Sequence, residues 1–556
     1  MAVELRNSVF AEADQHFSPP SAYKDLYAIL TGDEDVLQTS TGENFGRMRH
    51  GRDTREILKH LLPLMPDIVA DGIVMLAKLQ GTQPDFKSEE EPGRTIHEKR
   101  PVPTSDQETN RNYFSYQDAA SKWGEREDGV YYYGSVDATP NNANLIAEYV
   151  LRYGPEILDI GFDNKDGNPT TIRESVYANL KWLEGRVGNS RVGFLEYKRN
   201  HSECIENQIL RDSLTSVIHP NGELANHLGP IATIELQAFA YDAFRNSRIL
   251  FPEAKYQQDV TYWQKLARQI RDNVFENLWM PDQNYFAMGM DRNENGDPRL
   301  IKTISSLPIY LLGSQIFDQL HPDFKRFYIE AIGKRVFSSE FLTDIGIRCL
   351  STVHQGLTGF QDYHGVDSVW KVENIAFADA FRSKKLIGSA DELNIRHLNG
   401  VNTSGDDEFG YVGADNNICY SPRALDQFPH DFQNDDYLII VGTNIPEIVQ
   451  GWTASGTYRV KNRHKVWESE FLTPDPGSSE YESESEWLKK IDRARIIRSK
   501  VELKVRRQQA FAYLVDTAQG IQLDQKFRLK EQARLEDVRP DPVRDRYGYI
   551  PVLKSA

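Results

Sequence analysis

Residues 206–241 read ENQILRDSLTSVIHPNGELANHLGPIATIELQAFAY. An isolated Asp212 in a polar loop precedes a glycine-containing turn, and an apolar helix carrying Glu235 and Gln237 follows. A helix entered from such a loop presents a carboxyl group at the mouth of a pocket, with the helix as the wall behind it. The pattern predicts that helices are the scaffold of this chain and polar loops its site.

The alternation extends in both directions. Upstream, Ile57, Leu58, Leu61, Leu62, Ile68, Ile73, Leu76 and Leu79 recur at helical intervals interrupted around Pro63 and Pro66, which predicts two helices joined by a proline turn. Further helices are predicted over 142–153, 171–184, 230–248, 257–278, 307–319, 323–332 and 372–387. Long polar stretches at 88–128, 185–207, 281–297 and 390–417 separate them. Loops of that length are uncommon unless they do work. Helices in pairs with loops gathered at one end suggest an all-α toroid of helical hairpins over residues 41–430, after an N-terminal arm at 1–40. In the last part of the chain, DDYLIIVGTN and AFAYLVDTAQGIQLDQKFRL read as strands, so residues 431–556 are expected to form a smaller C-terminal α+β or β-rich extension.

Composition narrows the functional classes. Hydrophobic residues make up 39% of the 556 and charged ones 26%, the balance of a folded globular chain. A formal charge of −17 disfavours a nucleic-acid partner, which needs a basic face, and suits a neutral substrate. Cys204, Cys349 and Cys419 are too few and too scattered for a disulfide framework or a metal cluster. The charged N-terminus MAVELRNSVFAEADQ lacks the apolar segment of a signal peptide, and no run of about 18 apolar residues occurs, so no membrane partner and a cytoplasmic location are expected. No histidine or cysteine spacing suggests a metal, and no glycine-rich phosphate loop suggests a nucleotide cofactor.

Several segments carry clustered polar chemistry. GRDT places Arg52 and Asp53 at the start of the first helix, where Asp53 reads either as a helix cap or as an acceptor for a sugar hydroxyl. EEEPGRTIHEKR, with His97 and Glu98, reads most simply as solvated surface charge. YYYGSVDATP brings Asp137 to a helix start beside three tyrosines that could form a stacking wall. Tyr363, His364 and Trp370 cluster in YHGVDSVW ahead of Glu373.

Taken together, GRDT, LAKLQGT, EEEPGRTIHEKR, YYYGSVDATP, FLEYKR, NQILRDS and PIATIELQ follow one another in a specific order, and FLTDIGIRCLS, YHGVDSVW, GDDEFG and CYSPRALDQ come after them. In order and approximate spacing, the chain resembles bacterial amylo-α-1,6-glucosidase-like glycoside hydrolases of the glucoamylase-like six-hairpin superfamily. The resemblance implies an (α/α)6 toroid and an inverting, exo-acting hydrolase of α-glucosides, either α-1,6-linked glucan or a small oligosaccharide. Inversion needs a carboxylic acid and a carboxylate base about 6.5 to 9.5 Å apart. By motif, Asp212 is implied as the acid and Glu408 as the base, with Glu373 as the alternative base. Arg52, Asp53, His97, Glu98, Asp137, Gln208, Glu235, Gln237, Tyr363, His364 and Trp370 are expected to bind substrate. Leu210 stands where the family has Trp, Thr215 where it has Asp, and Trp370-Lys371-Val372-Glu373 where it has Trp-Pro-His-Asp. Those departures keep open a non-catalytic carbohydrate-binding protein on the same barrel, or a sugar phosphorylase or epimerase of similar architecture.

Overall fold

The computed structural model describes residues 49–62, 66–103, 111–358, 362–386, 388–390, 392–394, 396–397, 409–413 and 418–419. The arm at 1–40 and the extension at 431–556 lie outside the described residues. The helices are α1 (Gly51–Leu61), α2 (Pro66–Lys78), α3 (Arg111–Trp123), α4 (Ala138–Tyr153), α5 (Ile172–Gly188), α6 (Ile234–Leu250), α7 (Gln257–Asn273), α8 (Ile309–Gly313), α9 (Pro322–Val336) and α10 (Lys371–Ser383).

Consecutive helices α1 and α2, α4 and α5, and α6 and α7 pack as hairpins. One row of contacts runs from α1 to α4, α6, α8 and α10, and a second runs from α2 to α5 and α7. Burial shows which row is inside. Helix α6 buries even polar residues, including Glu235, Gln237, Arg245 and Asn246. Helix α7 buries a single stripe of Val260, Trp263, Gln264, Leu266, Ala267 and Ile270, the pattern of an amphipathic outer helix. The main apolar core, with Leu58, Ile146, Leu180, Phe244, Trp263 and Phe377 among its members, joins the two rows.

The predicted helices are present with shifted ends. Helix α4 begins at Ala138 rather than 142, because Pro140 falls in its first turn, where a missing N–H costs nothing. Helix α5 starts where Thr171 and Glu174 form a reciprocal capping box. The helix predicted over 307–319 is the short α8 followed by a 3-10 turn, Gln315–Phe317, that Ser314 caps. Helix α3 lies inside the stretch 88–128, whose polarity predicts a loop.

Short strands organise the loop end. They are β1 (Arg49–His50), β2 (Glu98–Arg100), β3 (Val130–Tyr132), β4 (Ala232–Thr233), β5 (Gly289–Arg292), β6 (Pro298–Ile301), β7 (Ser368–Trp370), β8 (Phe409–Val412) and β9 (Ile418–Cys419). They form three antiparallel sheets, ordered β1-β2-β3, β6-β5-β4 and β7-β8-β9. Strands β1, β4 and β7 run without a break into α1, α6 and α10, so the sheets fix where the inner helices begin. At two to four residues each, they are too short to show alternation in sequence.

Candidate active site

Each inner helix other than α8 brings an acidic residue to its first turn or cap: Asp53 in α1, Asp137 at the cap of α4, Glu235 in α6 and Glu373 in α10. The partial positive charge at a helix N-terminus favours a carboxylate there. The side chain of Asp53 lies outside the described residues. The segment 207–216 crosses this end of the inner row and is folded around Asn207. The Asn207 Nδ2 donates to the Ser213 carbonyl at 2.7 Å, while its Oδ1 accepts from Tyr197 Oη at 2.8 Å.

From that segment, Asp212 reaches the surface of the site. Its side chain is 21% exposed. Arg52 on α1 donates from Nη2 to Asp212 Oδ2 at 3.3 Å and from Nη1 to the Ile209 carbonyl at 2.8 Å, holding both the carboxyl and its loop. The Tyr363 hydroxyl donates to Asp212 Oδ1 at 2.9 Å. Next to the carboxyl, Ser213 Oγ donates to Asp362 at 2.9 Å and lies 3.0 Å from His364 Nδ1.

An aromatic group backs this cluster. Trp370 in β7 is registered opposite Phe409 in β8, and their rings stack with centroids 5.5 Å apart and planes 19° from parallel. Tyr363 and His364 meet Phe409 edge-on, and His364 also meets Trp370. Tyr363, His364 and Trp370, separated in sequence from Asp212 by about 150 residues, are thus brought beside it. Phe409 carries no sequence signal of its own, since FGYV is too short a strand to read. Glu408, its neighbour in sequence, lies outside the described residues.

Arg211, one residue from Asp212, turns the opposite way and is fully buried. Its Nε and Nη2 donate to the two oxygens of Glu373 at 2.9 and 2.6 Å, Nη2 also donates to Ser306 Oγ at 2.6 Å, and Nη1 donates to the Cys349 carbonyl at 2.8 Å. Both Glu373 oxygens therefore engage this guanidinium, and with 1% side-chain exposure Glu373 is placed as the anchor of the loop, away from any attacking water. The sequence signal for Arg211 is a cation directly after Ile209 and Leu210, both of which are core residues; Leu210 is packed in the core and offers no platform to a ligand.

Glu235 is wholly buried, with Oε1 accepting from Thr233 Oγ1 at 2.7 Å and no hydrogen bond to Oε2. Burial pushes its carboxyl up to about 8, so it is neutral at pH 7. Burial, and then the nearby Arg52 charge, hold the His97 imidazole down to about 4, so it too is neutral beside Asp212. Asp137 sits at the α4 cap position without capping it; Oδ1 accepts from Ser135 Oγ at 2.6 Å.

Three expected contacts are occupied by the protein itself. Gln237 donates to the Leu195 and Thr233 carbonyls and accepts from the Leu195 N–H, tying α6 to the preceding loop. Gln208 donates to Glu89 at 2.6 Å and accepts from Arg94 at 3.2 Å. Glu98 pairs with Arg100 and His50; burial opposes its charge, but Arg100 and then His50 outweigh that and hold it well below the usual carboxylate range.

The run at 89–100 is not surface charge. Glu89, Glu90, Arg94, His97 and Glu98 are buried, and Glu90 accepts from Lys165 at 2.9 Å and pairs with Arg126. The three tyrosines are likewise core. Tyr132 stacks on Trp123 with centroids 4.0 Å apart and donates to Glu89, and Tyr133 donates to the Leu79 carbonyl at 3.0 Å. They form no open wall. Among the described residues no group of three His, Cys, Asp or Glu side chains is arranged to hold a metal ion, and no helix is long and apolar enough to cross a membrane.

No protein-family model matches the chain, and no curated protein matches it. Among solved structures, the chain is similar to a GH63 mannosylglycerate hydrolase from Thermus thermophilus in complex with glucose, at 13% identity, 76% coverage of this chain, 98% of that one and a TM-score of 0.48. The same hydrolase with Tris and D-glycerate gives 12% identity, 76% and 98% coverage and 0.49. An uncharacterized conserved protein from that organism gives 12%, 76%, 99% and 0.48. These likenesses are loose, and the chemistry rests on the site's own residues.

Proposed function

We propose that the protein is a glycoside hydrolase acting with inversion, with Asp212 as its general acid. The observation that carries this is the placement of Asp212: a partly open carboxyl held by Arg52 and Tyr363, beside the stacked pair Trp370 and Phe409. An apolar ring face suits the C–H face of a pyranose, and the flanking hydroxyl, guanidinium and carboxyl suit its hydroxyls. The Tyr363 hydroxyl both donates and accepts, so it can serve the carboxyl with or without its proton.

In this mechanism Asp212 protonates the leaving oxygen while a second carboxylate activates water on the opposite face of the ring. Arg211 and Glu373 hold the acid's loop and take no proton. Glu408 is the base in this proposal, on its match to the hydrolase motif and its position in sequence next to Phe409. The narrower reading, supported by the order of the motifs, is exo-action on α-glucosides by an inner row closed into an (α/α)6 toroid.

The test is to incubate the purified chain with α- and β-linked gluco- and manno-oligosaccharides and follow the released anomer by NMR. Release of β-glucose from an α-glucoside, lost in Asp212→Asn, is the expected result. Retained anomeric configuration, or activity intact in Asp212→Asn, would overturn the proposal.

A further inference from the structure

FLEYKR, at 194–199, is a motif that the Asp212 centre does not absorb. It forms one wall of a cavity of about 500 Å³ whose other wall is the C-terminal part of α5, and Asp212 is not among the lining residues. A volume of this order suits a small ligand. The rim is at the surface, where Gly185, Asn189 and Lys198 are exposed.

The wall is polar, but its charges are matched within the protein. Glu91 pairs with Arg186 and accepts from Trp182 Nε1 at 3.0 Å, and Glu196 pairs with Arg292. Lys181 is paired with Glu184 at 2.8 Å and Asp259 at 3.2 Å. An ion would find little unmatched countercharge on these walls, whereas hydroxyl groups can both donate to and accept from interleaved amide, hydroxyl and charged groups.

Gly185 is the second observation. It lies in the last turn of α5, outside the left-handed glycines, so its backbone does not require glycine. A Cβ built there meets nothing within 4 Å. Glycine is a poor helix former, and here its missing side chain serves neither a turn nor a close approach. What it leaves is open space along the cavity wall.

We propose that this cavity is a second binding site, distinct from the Asp212 centre, for a neutral polyhydroxylated ligand the size of a mono- or disaccharide. It is connected to the Asp212 loop through Tyr197 Oη on Asn207 Oδ1 at 2.8 Å. The proposal does not depend on hydrolysis.

The experiment is calorimetric titration of the full chain, carrying Asp212→Asn to prevent turnover, with D-glucose, D-mannose and maltose. A saturable class of sites that weakens at least tenfold in Gly185→Leu, and also in Asn189→Ala, is the expected result. Leucine favours helix over glycine, so Gly185→Leu should melt no lower than its parent. If no sugar shows a class sensitive to either substitution, the proposal fails. It also fails if inorganic phosphate at constant ionic strength displaces that class, since the cavity would then be an anion site. Failure of the hydrolase assignment would show instead as absence of turnover in the unsubstituted chain, with the cavity class intact.

Discussion

Arg211 and Asp212 are neighbours in the chain and opposites in setting. The Arg211 side chain is 0% exposed and bound to Glu373, Ser306 and the Cys349 carbonyl, while that of Asp212 is 21% exposed and meets Arg52 and Tyr363. One peptide unit separates a structural ion pair from a carboxyl placed for chemistry. Removing one partner of a buried pair strands a charge, whereas an exposed pair contributes about 0 to 1 kcal/mol. Stability and activity should therefore separate between adjacent residues.

The largest effect is expected on the buried side. Glu373→Ala leaves the Arg211 guanidinium uncompensated and should lower the unfolding free energy by about 3 to 5 kcal/mol, measured by urea denaturation. Replacing both partners, as Arg211→Met with Glu373→Leu, should recover most of that loss, because two apolar side chains leave no orphaned charge. If Glu373→Ala costs less than about 1 kcal/mol, in the range of an exposed pair, the contrast between the two settings collapses.

On the open side, Asp212→Asn should cut kcat by about 10² to 10⁴, the usual contribution of general acid catalysis. Its unfolding free energy should change by no more than about 1 kcal/mol. Rate assays and urea melts on one preparation decide the matter. A variant that lost activity only in proportion to its loss of folded protein would place Asp212 with Arg211 as a structural residue.

How much of this is legible in the sequence follows the range of the signal. The hairpin scaffold is readable because a 3.6-residue period repeats within each helix, as in Leu58, Leu62, Ile73 and Leu76. Asp212, Tyr363, His364 and Trp370 are readable as polar and aromatic residues in loops that helical chemistry does not need. The Arg211–Glu373 pair spans 162 positions, and nothing local marks it. The charged run at 89–100 misleads for the same reason. Its partners Arg126, Lys165 and Arg186 come from elsewhere in the chain, and composition alone cannot distinguish charge satisfied by distant residues from charge satisfied by water.

Glu235 sharpens the comparison through pH. Its carboxyl is raised from 4.5 to about 8 by burial, so between those values the folded state holds a proton that the unfolded state has released. Stability from this group is complete below about pH 4.5 and lost as pH rises toward 8. The slope is at most about 1.4 kcal/mol per pH unit. Glu235→Gln, a neutral mimic of the protonated acid, should match the parent in urea melts at pH 5 and exceed it at pH 8. Equal pH dependence in the two proteins would mean that Glu235 is ionised in the fold and belongs with the charged carboxylates.

The smallest effect expected is that of Tyr363→Phe, and it tests which group moves the proton. The substitution removes the hydroxyl that donates to Asp212 at 2.9 Å but keeps the ring that meets Phe409 edge-on at 5.3 Å. Loss of one hydrogen bond to a partly exposed carboxyl is worth about 1 kcal/mol, so kcat/KM should fall about fivefold with the pH profile unchanged in shape. A fall as deep as that of Asp212→Asn would show that the phenol itself carries the proton to the leaving oxygen. Asp212 would then be the group that holds Tyr363, and the chemical and positioning roles would exchange across one hydrogen bond.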